Sequence, residues 1–148
     1  VAAQTFRNDG SVYGDECAEI FVSPGLDFCR YFELDFNALN ARYDGLGFPY
    51  YLPTHRWNPV WRHAARVYED HWTAEAAVPF ASLGRAAPAD GDAWLFNLAR
   101  CSGPIRVGEW PYQLYQSWAR LSAPNFHYLF EYGVLVFGRP GGSRADMP

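Results

Sequence analysis

The chain has 148 residues, 49% hydrophobic, 18% aromatic and only 19% charged, which is the composition of one folded core and not of a disordered or fibrous chain. Its formal charge is −4, every basic residue is Arg, and no Lys/Arg run is present, which excludes the basic surface a nucleic-acid binder needs to displace counterions. No stretch approaches the roughly 18 apolar residues of a membrane span, and residues 1 onward lack a charged start followed by an apolar run, so neither a span nor an export signal is expected.

From Glu16 to Asn37, alternation with a period of two runs through both sides of a turn marked by Ser23, Pro24 and Gly25, and predicts a hairpin. One face carries Ala18, Ile20, Val22, Phe32, Leu34 and Phe36; the other carries Cys17, Glu19, Phe21, Tyr31, Glu33, Asp35 and Asn37. Pairing Ile20 with Phe32 across the hairpin sets Glu19 opposite Glu33 and Cys17 opposite Asp35. Ala38 to Asp70 reads as a long irregular stretch in which Asp44-Gly45, like Asp9-Gly10 earlier, is a turn signal. A strand is predicted from Trp72 to Phe80, with Trp72, Ala74, Ala76 and Val78 inward and Pro79 closing the run. Trp94 to Cys101 repeats the pattern, with Trp94, Phe96 and Leu98 on the core side and Leu95, Asn97 and Ala99 on the other. Ser102 to His127 is a second irregular stretch, Tyr128 to Phe137 a last strand, and Gly138 to Pro148 a Gly/Pro-rich tail. Short helices are admitted only at Ala81 to Arg85 or Asn58 to Arg66. The expected fold is all-β, an antiparallel β-sandwich with long aromatic-rich loops, and residues 1–137 form the domain.

The outward faces of these strands gather Glu19, Glu33, Asp35, Asn37, Glu75 and Asn97, with Arg100 near a strand end. Such a face is either ordinarily solvated or a polar groove whose carboxylates and amides hold hydroxyl groups or a cation. Trp72 and Trp94 fall in strand patterns and are expected in the core. Trp57, Trp61, Trp110 and Trp118 fall in loops, where they either pack over the sandwich ends or stand exposed as flat platforms for the C–H face of a sugar. Opposed Glu19 and Glu33 also meet the spacing a glycoside-cleaving enzyme requires. Cys17, Cys29 and Cys101 cannot all pair, show no zinc-ligand spacing, and predict no disulfide scaffold; His55, His63, His71 and His127 show no metal-binding arrangement either.

Five segments, in order, resemble the signatures of family 9-like carbohydrate-binding modules. They are Asp15-Glu16-Cys17-Ala18-Glu19-Ile20-Phe21 (a D-x-x-x-E-x-F core), Tyr31 to Asn37 (ending F-N), Trp72 to Pro79 (W-x-x-E with a closing Pro), Asn97 to Cys101 (N-x-x-R-C), and Ser117-Trp118 with Phe126-His127. The resemblance spans residues 11 to 137. It implies a DOMON-like sandwich of jelly-roll or immunoglobulin-like type that binds saccharides without cleaving them, serves polysaccharide catabolism outside the cytoplasm beside a tethered glycan-active enzyme, and holds structural calcium but, with Met147 its only methionine, no haem. On these motifs and the loop aromatics, the carbohydrate-binding residues expected are Trp118, Trp57, Trp61, Arg100, Asn97, Glu75, Glu33 and Asn37. The calcium ligands expected are Asp15, Glu16 and Glu19. A ligand-free structural or cell-surface domain is the remaining alternative. Two departures stand out: only residues 1–14 precede the acidic signature where the family has further strands, which implies lost strands or a longer parent, and Pro49 to Arg66 is an insert.

Overall fold

A computed structural model describes residues 1–49, 51–54, 56–107 and 110–138, without the side chains of 51–52, 104–107 and 110–112. Among these residues nine strands form: β1 (Cys17–Ser23), β2 (Tyr31–Asn37), β3 (Arg42–Phe48), β4 (Tyr51–Thr54), β5 (Arg62–Val67), β6 (Trp72–Ala77), β7 (Ala93–Val107), β8 (Trp110–Ser117) and β9 (Gly133–Val136). The helical elements are three 3-10 turns, at Val12–Gly14, Phe80–Leu83 and Leu129–Glu131. No helix among the described residues is long and apolar enough to cross a membrane.

The architecture is an antiparallel β-sandwich. Its large sheet runs β4-β3-β2-β1-β7-β8, and β5-β6 form a separate small sheet. The 15-residue β7 organises the large sheet: β1 pairs along one edge, while the other edge takes β9 at Ala93 to Phe96 and β8 from Ala99 onward. Alternation sorts the side chains of β1 and β2 as the sequence predicts, but both faces are covered. Val22, Phe32, Leu34 and Phe36 pack with Trp61, Leu83 and Trp94 on one side. Cys17, Phe21 and Tyr31 pack with Tyr43, Phe126, Leu129 and Tyr132 on the other. The acidic face is therefore neither a solvated surface nor an open groove, because the segment between β8 and β9 folds back over it.

The hairpin register differs from expectation by two residues. Ile20 pairs with Leu34, Glu19 with Asp35 and Cys17 with Asn37. The connection occupies residues 24–30, with Gly25 and Phe28 at positive φ and the Pro24 carbonyl held by Arg85, and a loop of that length moves every pairing by two while leaving each side chain on its face. The two stretches read as irregular carry β3, β4, β5 and β8. Asp44-Gly45 lies inside β3 and is not a turn: a Cβ on Gly45 would collide with Pro53 and Tyr43, and one on Gly47 with the ring of Tyr31, so the glycines let rings cross the strand. Asn58 to Arg66 forms no helix; its Ala-Arg end lies in β5 paired with β6, tertiary pairing overriding helix propensity. The last strand shrinks to Gly133–Val136, after the 3-10 turn at Leu129. Of the expected tail, residues 139–148 lie outside the described residues, as does His55.

Candidate functional site

Ala18 on β1 and Ala74 and Ala76 on β6 have side chains too short to fill the roughly 10 Å between packed sheets. A groove of about 1220 Å3 opens where they lie, walled by Trp118, Trp72, Tyr68, Arg100, Glu16 and Gln116. Trp118 follows β8, its N–H donating to the Leu98 carbonyl at 2.8 Å, and its ring is 60% exposed. That ring is nonetheless fixed. Its six-membered ring lies against Gly133 of β9, and it meets Phe96 edge to face at 5.8 Å, so an aromatic that also lines the groove covers the bare glycine opposite Phe96.

Arg100 stands beside it on β7. One guanidinium nitrogen donates to Glu16 Oε1 at 2.6 Å and another to Gln116 Oε1 at 3.1 Å, while Trp72 Nε1 donates to the same Glu16 oxygen at 3.0 Å. Burial pushes the Glu16 carboxyl upward, but the bonds from Arg100, the Ala2 N–H and Trp72 outweigh it and hold the group below its ordinary range. The result is a charged, oriented donor–acceptor set next to an exposed indole. At the β5-β6 turn the His71 and Tyr68 rings stack at 4.7 Å, and both line the groove.

The opposite face of the large sheet holds a second, buried group. Glu19 Oε1 accepts from the thiols of Cys101 (2.8 Å) and Cys17 (3.5 Å), and ligand atoms of Glu19, Glu33 and Asp35 lie within 4.8 Å of one another. The Asp35 and Glu33 carboxyls face each other, and among the described residues no N–H, hydroxyl or thiol donates to either Asp35 oxygen or to Glu33 Oε2, which lies 3.8 Å from His127 Nδ1. Burial and the neighbouring Glu19 charge push the Glu33 carboxyl up to about 8; burial likewise raises Glu19 and Asp35 and keeps His127 low. A cavity of about 370 Å3, walled by Tyr13, Tyr43, Tyr115 and His127 among others, reaches Glu19, Glu33 and Cys101.

The chain is similar in fold to a solved bacterial structure. That structure is described as a "putative carbohydrate-binding protein" from Bacteroides uniformis; the two chains are 22% identical, superpose with a TM-score of 0.70, and the match covers 93% of this chain and 67% of that one. No protein-family model matches the sequence, and no curated protein does. The likeness shows the fold; it does not carry the family 9-like or DOMON-like assignment.

The expected site residues divide sharply. Trp118 and Arg100 meet in the groove, whereas Glu33 faces the buried cluster. Trp61 is 4% exposed with its Nε1 committed to Asp44 at 3.0 Å, so it is a core residue and not a platform, whereas Trp57 is partly buried, packs on Phe32 at 4.5 Å, and lies outside the groove. Asn37 is buried and saturated: it donates to the Thr5 carbonyl and Asp15, and accepts from the N–H groups of Leu39 and Ala41, closing the β2-β3 connection. Asn97, also buried, accepts from the Ser117 hydroxyl and the Ala119 N–H on either side of Trp118, and so positions that residue from beneath. Glu75 is exposed on β6, on the face away from Trp72 and Ala74, far from any acidic gathering. Asp15, Glu16 and Glu19 do not converge, since Asp15 accepts from Thr5 and Asn37, Glu16 turns to Arg100, and Glu19 turns to the thiols on the other face. Trp110 has no described side chain. Trp72, expected wholly in the core, and Glu16, expected on a metal, are the groove residues the sequence reading misplaced; the run Trp72, Ala74, Ala76 facing Ala18 was the available signal of space between layers.

Proposed function

We propose that this domain binds a saccharide in the groove between its two sheets, without cleaving it. The carrying observation is Trp118: an indole 60% exposed, backed rigidly by Gly133 and Phe96, beside a guanidinium already oriented by Glu16 and Gln116. A sugar ring offers an apolar C–H face and a rim of hydroxyls, and such a platform with charged donors and acceptors alongside complements both at small ordering cost. The description of the Bacteroides protein and the motif likeness to family 9-like modules support the same reading. Cleavage is disfavoured because hydrolysis needs two carboxyls flanking an accessible glycosidic bond, and Glu19 and Glu33 are each 3% exposed. Electrophoresis through gels containing individual polysaccharides tests the proposal: at least one polymer retards the wild-type domain, and Trp118→Ala migrates as it does in polymer-free gel. Unretarded migration in every polymer, or retardation that Trp118→Ala leaves intact, contradicts it.

A further inference from the structure

The buried cluster on the far side of the large sheet takes no part in the groove, and it carries an inference of its own. We infer that Cys17, Cys101 and Glu19, with the carboxyls of Glu33 and Asp35 adjoining Glu19, form a site for a thiophilic divalent cation of the zinc type.

Strand pairing builds the donor set. Cys17 and Cys101 are direct partners across β1 and β7, and Glu19 and Asp35 are direct partners across β1 and β2, so one sheet face brings Cys17, Glu19 and Cys101 together, with Glu33 and Asp35 in an adjoining group around Glu19. The ligand atoms of Cys17, Glu19 and Cys101 lie within 4.8 Å of one another, with the two sulfur-to-oxygen separations at 2.8 and 3.5 Å. A tetrahedral ion with bonds of 2.0–2.3 Å spaces its ligands by about 3.5 Å, so small side-chain adjustments fit one. Two sulfurs among the donors select zinc or a similar ion over calcium or magnesium, which take oxygen alone.

A second observation points to a cation independently of the spacing. Asp35 is wholly buried with its carboxyl against that of Glu33, and among the described residues neither Asp35 oxygen nor Glu33 Oε2 accepts from an N–H, hydroxyl or thiol donor. Buried carboxylates without donors are costly, and three together repel one another unless protons or a cation neutralise them. Among the described residues no arginine lines the adjoining cavity, and His127 on its wall is kept neutral by burial. Each thiol releases its proton to solvent as its metal–sulfur bond forms, and the cavity reaching Cys101 and Glu19 provides the way in.

Reduced, chelator-stripped domain titrated with Co2+ tests this without any variant. One equivalent should produce near-ultraviolet thiolate-to-cobalt charge transfer, which one equivalent of Zn2+ then abolishes. Cys101→Ser and Cys17→Ser should weaken Zn2+ binding by more than about a hundredfold and Asp35→Asn by at least about tenfold, while Cys29→Ser, whose thiol is exposed on the β1-β2 loop, changes nothing. Near-ultraviolet circular dichroism establishes that each variant is folded. Absence of the charge-transfer band overturns the assignment, as does Co2+ uptake with an oxygen-only spectrum, or binding that Cys29→Ser reduces as much as Cys101→Ser. So does a thiol titration of the unfolded protein that finds one free thiol and a Cys17–Cys101 disulfide.

Discussion

A β-carbon on Gly133 would stand 2.7 Å from Cη2 of Trp118 and nearer still to Cζ3, so the indole rests directly on the glycine. The platform's height over the groove is thus set by the absence of a side chain on the neighbouring strand. Gly133→Ala should lift or rotate the ring and weaken saccharide binding about tenfold, while the domain stays folded, since the three atoms nearest the added carbon all belong to that partly exposed indole. Titration and a melting curve on the same sample check both halves of this expectation.

Arg100 has two partners in the groove, and they separate its roles. Arg100→Met retains the stem that packs along the sheet and removes the donors, so binding should fall by about tenfold or more. Because the guanidinium is 45% exposed and its pair with Glu16 is partly solvated, the stability cost should stay near 1 kcal/mol or below. A variant that binds normally but melts far lower would make Arg100 a structural residue.

Trp94 and Trp61 serve the opposite purpose. Trp94 is buried against Phe137 (4.9 Å) and Phe80 (5.6 Å), and truncation to alanine should cost on the order of 3–5 kcal/mol, lowering Tm by roughly 10 °C or more. Trp61→Phe keeps most of the packing but takes the hydrogen-bond donor from buried Asp44, a loss of about 1–3 kcal/mol. Neither change should alter the affinity of the molecules that remain folded, as calorimetry on each variant would measure.

Glu33 gives the domain an alkaline weakness. Its carboxyl is raised from 4.5 in the unfolded chain to about 8 in the fold, so the folded state binds the extra proton between those values. The resulting stability is fully present below pH 4.5 and disappears as pH rises through about 8; Glu19 and Asp35, raised in the same direction, contribute with the same sign. Chelator-treated protein should therefore melt several degrees lower at pH 9 than at pH 6, and Glu33→Gln should reduce that difference. A melting temperature that rises with pH over this interval would contradict the assignment.

The sequence made the sandwich legible wherever apolar alternation was strict. Cys17 to Ser23, Tyr31 to Asn37, Trp72 to Ala77 and Trp94 to Cys101 are strands whose residues alternate between faces as expected, because period two alone decides which residues share a side, but β6 stops three residues short of Phe80, and Leu98, expected on the core side, is exposed while Leu95 and Ala99 are buried. It failed where composition disguised the strand: β3 carries two glycines that make room for tyrosine rings, and β5 alternates Arg, His and Ala instead of hydrophobes. Trp118 and Arg100 could be picked out because both flank a strand pattern. The convergence of Cys17, Glu19 and Cys101 could not, since residues 82 apart meet only through the β1-β7 pairing, and the burial of their face depends on a covering segment whose path no local pattern encodes.

Calorimetric titration of the oligosaccharide derived from the retarding polymer into wild-type and Trp118→Ala domains decides whether Trp118 forms a saccharide platform in the groove. The wild type should show one saturable site, and the variant, with an unchanged melting temperature, at least about a tenfold loss of affinity. Equal affinities in the two folded proteins would contradict it.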